Sequence, residues 1–137
     1  MVAGRYPIKE IMTPLEFKTY RNALGLTSQD VAARLDMSLR TAQRMESLNP
    51  DTAIEPKPDA VAWIAGEWGK FVDLTRERIE DAKACNERGE PLKIPVYRDE
   101  LQSFTETGYS LAQDRALTAH IAMACDLLGL DWVLVEK

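Results

Sequence analysis

The sequence predicts a mainly α chain: several short capped helices, then one long helix, then a small α/β module. Three observations carry this. Residues 13–46 show helical spacing of apolar positions, broken at short intervals by cap and turn residues. Residues 59–86 carry one apolar stripe with helical period, and two β-branched runs, 91–97 and 131–136, bracket a further helical stretch.

The first helix opens at Thr13, with Pro14 at its first position and Glu16 placed to complete a capping box. Leu15, Phe17, Tyr20 and Leu24 follow at helical spacing, and Gly25 stops it. Thr27 starts a second helix with Asp30 at the capping-box position, and Val31, Ala32 and Leu35 supply its inner face. Asp36-Met37 is the turn, Ser38 caps a third helix, and Ala42 and Met45 point inward. Leu39, Arg40, Thr41, Gln43 and Arg44 are left outside, a set suited to phosphates and base edges.

The stretch Ser47–Pro58 holds three prolines and is expected to be an extended linker. The long helix begins at Asp59. Val61, Ile64, Ala65, Trp68, Val72, Thr75, Ile79 and Ala82 form its stripe, with Gly66 and Gly69 predicting a kink or break and Asn86–Gly89 its end. Pro91–Tyr97 is a strand held to a sheet edge by its internal proline. Asp99 opens a short helix closed at Thr107-Gly108. Ser110 then caps a longer one over 111–128, with Leu117, Ile121, Ala124 and Leu128 inside and Gly129 after it. The last run, Asp131–Glu136, reads as a strand covered on both faces and paired with the first strand or with a second copy of the chain.

Leu26-Thr27, the run Val31-Ala32-x-x-Leu35, and Ser38-Leu39-Arg40-Thr41 leading to Arg44-Met45-Glu46 together resemble the XRE family of helix-turn-helix repressors, which includes the lambda-type phage repressors. The resemblance implies a lambda-repressor-like DNA-binding domain, with the third helix in the major groove and the start of the second against the DNA backbone. It also implies an ion pair between Arg21 and Glu46, which stand where family members pair a first-helix arginine with a glutamate closing the third helix. The chain departs from the family pattern at Asp36 in place of the turn glycine, Ser28 in place of glutamine and Met45 in place of tryptophan. Pro58-Asp59, Ile94–Tyr97 with Leu101, and Gln113–Ala124 give the second half a resemblance to the C-terminal module of YdiL-like proteins and anti-CRISPR-associated repressors. This implies dimerisation through that half. The expected organisation is an N-terminal extension over 1–12, a DNA-binding domain with linker over 13–58, and a dimerisation module over 59–137.

Charge is divided unevenly. Residues 1–50 hold seven Lys/Arg against five Asp/Glu, a net +2, and the remainder holds ten against seventeen, a net −7, giving the overall −5. A mildly basic segment joined to an acidic body suits a nucleic-acid reader whose second half stays off the DNA, and argues against indiscriminate coating. No glycine-rich phosphate loop, metal-ligand cluster or nucleophile-plus-base spacing is present, so neither an enzyme nor any cofactor or metal is expected. Cys85 and Cys125 read as reduced thiols, and the start MVAGRYPIKE has no apolar signal core. No run is long enough to span a membrane, so a cytoplasmic location is expected.

These readings converge on a homodimeric repressor of double-stranded DNA with an inverted-repeat operator. Base readout is expected from Leu39, Arg40, Gln43 and Arg44, and backbone contacts from Thr27, Ser28, Gln29, Ser38 and Thr41. Dimerisation is expected from Trp68, Val72, Ile79, Leu117, Ile121, Trp132, Val133, Leu134 and Val135. Two alternatives stay open at this level: an antitoxin whose acidic half covers a basic toxin, and a protein-interaction adaptor that keeps the helical bundle without binding DNA.

Overall fold

The computed structural model describes residues 10–137 and is mainly helical, with a small two-stranded parallel sheet. Most of the expected N-terminal extension lies outside the described residues. Its last residue, Met12, is fully buried, so the core reaches back past the first cap.

Six helices and two strands follow in order: α1 (Pro14–Ala23), α2 (Ser28–Arg34), α3 (Leu39–Arg44), α4 (Pro58–Glu87), β1 (Leu92–Val96), α5 (Glu100–Thr107), α6 (Leu111–Leu127) and β2 (Trp132–Glu136). The chain divides into two compact units, one ending at Lys70 and one starting at Phe71. The division falls within α4, so that helix lends its first part to one unit and the rest to the other.

Local chemistry sets the ends of the short helices. Thr13 and Thr27 accept from the backbone N–H of Glu16 and Asp30, whose carboxylates accept in return from the cap N–H groups. Gly25 takes φ 72°, which lets Leu26 N–H reach the Arg21 carbonyl at 3.2 Å and close α1. Asp36 does the same for α2 at φ 52°, with Met37 N–H on the Ala32 carbonyl at 3.0 Å. A short polar side chain tolerates the left-handed region there, where a β-branched one would strain.

The core of the first unit is Met12, Phe17, Leu24, Leu26, Val31, Ala32, Ala42 and Met45, joined by Ala60, Val61, Ile64 and Ala65 from α4. Leu15 is an exception among the expected inner residues of α1: it is exposed. Two aromatic contacts bind α4 to the short helices. Trp68 meets Tyr20 edge-on with centroids 5.2 Å apart, and the Arg34 guanidinium lies 5.7 Å from the centre of the Trp63 ring. Trp68, expected at a dimer interface, is half-buried and makes this contact within the first unit.

Two further expectations are corrected here. The stretch after α3 is folded, not extended. Thr52 and Ala53 donate to the Asn49 carbonyl, the Ser47 and Thr52 hydroxyls lie 2.8 Å apart, and Ile54 N–H returns to the Arg44 carbonyl at 3.0 Å. The long helix is also unbroken over its 30 residues despite Gly66 and Gly69. Gly69 is buried and Gly66 exposed, and neither interrupts the helix.

In the second unit Phe71, Ala82, Leu92, Ile94, Tyr97, Leu117, Ile121 and Cys125 form the core. Phe71 lies outside the stripe read from sequence, yet it is buried edge-on against Tyr109 and His120, at 5.5 and 6.0 Å. The inner stripe of α6 is Asp114, Leu117, Ile121 and Cys125, and Leu128 is exposed. Leu117 and Ile121, expected at an interface, are thus occupied within the chain. Burial pushes the Asp114 carboxyl above its ordinary range, partly offset by the nearby Arg115 guanidinium. Burial likewise raises the Cys125 thiol, helped by Asp126, which keeps it protonated and inert.

The strands pair in parallel, Leu92 with Trp132 through Val96 with Glu136, and α5 and α6 supply the long crossover that a parallel pair requires. Asn86, near the end of α4, fixes the start of β2. Its side-chain oxygen accepts from Asp131 N–H at 2.7 Å, and its amide donates to the Glu90 and Asp131 carbonyls at 3.2 Å. The expectation that β2 is covered on both faces fails. Trp132 is half-buried, donating its indole N–H to Asp126 at 2.8 Å, while Val133, Leu134 and Val135 are exposed.

Candidate nucleic-acid interface

The candidate site is the α2–turn–α3 segment. Its rigidity rests on one charged cluster beneath it. Arg21 grips Glu46 with two parallel bonds, Nε to Oε2 at 2.6 Å and Nη2 to Oε1 at 2.7 Å, and its Nη1 donates to the Leu26 carbonyl at 2.7 Å. The side chains are only 11% and 6% exposed, which places the pair in a medium where Coulomb attraction and bidentate geometry both count. The Ser28 hydroxyl adds a 3.3 Å bond to Glu46 Oε2. One cluster therefore joins α1, the loop before α2, the first residue of α2 and the residues just past α3.

That arrangement engages residues expected at the DNA backbone. Ser28 is assigned to the DNA backbone by the sequence, but its hydroxyl is turned onto Glu46 and its side chain is half-buried. Thr27 and Ser38 are likewise engaged as caps, accepting from the N–H of Asp30 and Thr41 at 3.0 and 3.1 Å. The Ser38 hydroxyl donates to Thr41 Oγ1 at 2.9 Å, and Thr41 is half-buried. Gln29 is the exposed polar side chain at the start of α2.

Of the five residues expected outward on α3, all but Thr41 are exposed. Leu39 is 41% exposed, and Arg40, Gln43 and Arg44 are exposed, while Ala42 and Met45 are fully buried. The helix is one and a half turns long, so Leu39, Arg40 and Gln43 gather on one outer surface. Arg44 differs from Arg40. Its Nε donates to the Thr52 carbonyl at 2.9 Å and its own carbonyl receives Ile54 N–H, so it clasps the folded stretch after α3. Sequence gave no warning of this clasp. The nearest signal is Asn49-Pro50-Asp51-Thr52, a run of turn-forming residues whose return path is not set by its composition.

Of the residues assigned to dimerisation, Leu117 and Ile121 are buried, Trp68, Val72, Ile79 and Trp132 are half-buried, and Val133, Leu134 and Val135 are exposed. Among the described residues no cluster of His, Cys, Asp or Glu is arranged to hold a metal, and no helix is long and apolar enough to cross a membrane. No protein-family model matches the chain, and no curated protein matches it in sequence.

Proposed function

We propose that this chain is a sequence-specific DNA-binding repressor of the helix-turn-helix type, acting as a homodimer on an inverted repeat. The observation that carries the reading is α3 itself: a capped helix whose end is held against α1 by the buried Arg21–Glu46 pair, with Leu39, Arg40 and Gln43 outward. Arginine recognises guanine through paired bonds to O6 and N7, glutamine pairs in the same way with adenine, and an apolar side chain meets the thymine methyl.

Within this reading Arg40 and Gln43 carry base readout and Leu39 an apolar contact. Arg44 is placed at the end of α3 and shares its guanidinium with Thr52, which suits a phosphate contact better than a base. Gln29 and the free N–H groups at the start of α2 hold the backbone. A single module of this size contacts one half-site, so specific affinity requires two copies.

The reading is tested by a mobility-shift titration of Arg40→Ala and Gln29→Ala against a selected site and a scrambled one. Arg40→Ala should erase most of the preference for the selected site. Gln29→Ala should weaken both complexes alike. Equal binding of both sites by the unaltered protein would refute the proposal.

A further inference from the structure

The two edges of the small sheet are unequal. In this parallel register Leu92 N–H donates to the Asp131 carbonyl and Lys137 N–H to the Val96 carbonyl, so the odd-numbered residues of β2 face β1. The backbone groups of Trp132, Leu134 and Glu136 therefore point to the far edge. On the other side, the outer edge of β1 is closed: Pro95 has no N–H to offer, and the Lys93 carbonyl already accepts from Arg78 Nη2 at 2.8 Å. The open edge also carries apolar residues, with Val133, Leu134 and Val135 exposed by 41%, 49% and 39%. Among the described residues no other strand pairs with this edge, and an apolar edge of this kind is a template for another strand.

We infer that the occupant of this edge is β2 of a second copy, running antiparallel about a two-fold axis at Leu134. The sequence of β2 is complementary to itself in the register that overlaps the whole strand. Leu134 then meets Leu134 of the second copy, Val133 meets Val135, and Trp132 meets Glu136. Asp131 falls opposite Lys137, so opposite charges close both ends. The same register puts the outward backbone groups of Trp132, Leu134 and Glu136 in the hydrogen-bonded positions, each pair exchanging both bonds. A two-fold contact presents the same patch on both sides, so the two two-stranded sheets become one four-stranded sheet. Lys137 and Glu136 make exposed pairs with Glu106 and Arg98 within the chain, and such pairs rearrange at little cost.

This inference rests on the homodimer of the proposed function and is independent of DNA binding. The experiment is therefore done without DNA, on the full chain, by light scattering at micromolar concentration. The unaltered protein should have the mass of two chains. Leu134→Pro removes an outward N–H without touching the β1 ladder, and Asp131→Lys sets like charges opposite each other. Both should shift the mass toward one chain with an unchanged circular dichroism spectrum, and Asp131→Lys combined with Lys137→Asp should restore the dimer. In a Cys85→Ser background, mild oxidation should link chains carrying Leu134→Cys, whose Cα atoms would lie about 5.5 Å apart, within disulfide reach. Chains carrying Asp131→Cys, about 20 Å apart in this register, should stay unlinked. A monomeric mass for the unaltered protein would overturn both the edge pairing and the homodimer. A dimer unaffected by Leu134→Pro and Asp131→Lys, or linked through position 131, would overturn the edge pairing alone.

Discussion

Arg21 and Glu46, 25 positions apart in sequence, are bound by two charge-assisted bonds of 2.6 and 2.7 Å in a nearly buried setting. The contact holds the end of α3 against α1, and the orientation of the outer face of α3 depends on it. Removing one partner leaves the other charge desolvated and alone. Glu46→Ala is accordingly expected to cost about 3–5 kcal/mol of stability. Replacing both, as Arg21→Met with Glu46→Leu, should recover much of that loss. Chemical denaturation of the two variants beside the unaltered protein checks it; a double variant no more stable than Glu46→Ala would be the contrary result.

Arg40 and Arg44 are both exposed on α3 but should separate in behaviour. Arg40→Ala is expected to lower affinity for a specific site by about 1–3 kcal/mol with the melting temperature unchanged. Arg44→Ala removes the bond to Thr52, so it should lower the melting temperature as well. Thermal unfolding beside a binding titration distinguishes the two, and identical thermal behaviour would remove the clasp from the account.

Much of this was legible in the sequence, because it is written in neighbouring residues. Thr13, Thr27, Ser38, Asp99 and Ser110 are caps whose partners lie three positions on, and the left-handed turns at Gly25 and Asp36 follow from local sterics. What was missed depends on distant parts of the chain. Phe71 lies at the border of the stripe, and what buries it is contact with Tyr109 and His120, 38 and 49 positions away. The side chain of Asn86 meets Asp131 across 45 positions, and no local pattern announces that. The Ser28 hydroxyl likewise meets Glu46 across 18 positions.

The first part of α4 belongs structurally with the short helices, through Ala60, Val61, Ile64 and the Tyr20–Trp68 contact. A truncation after Asp59 should therefore expose the core of α1–α3 and unfold, whereas one after Lys70 should keep a cooperative transition. Circular dichroism melts of the two fragments test this. Equal stability would show that α4 is dispensable to the first unit.

Asp114 sets a pH dependence. Its folded-state pKa is raised, chiefly by burial, so the carboxyl favours stability while protonated, and that contribution is lost as pH rises through the raised value. Asp114→Asn should match the unaltered protein near pH 4 and exceed it in melting temperature by about pH 7. A difference that shrinks as pH rises would contradict the assignment.

The central claim is that α3 reads DNA sequence. Its most direct measurement is selection of double-stranded fragments from a random pool by the full-length protein at moderate salt, followed by sequencing. The expected result is enrichment of one inverted repeat, lost when Arg40→Ala replaces the unaltered chain. Recovery of the input pool without enrichment, or the same motif enriched by Arg40→Ala, would contradict it.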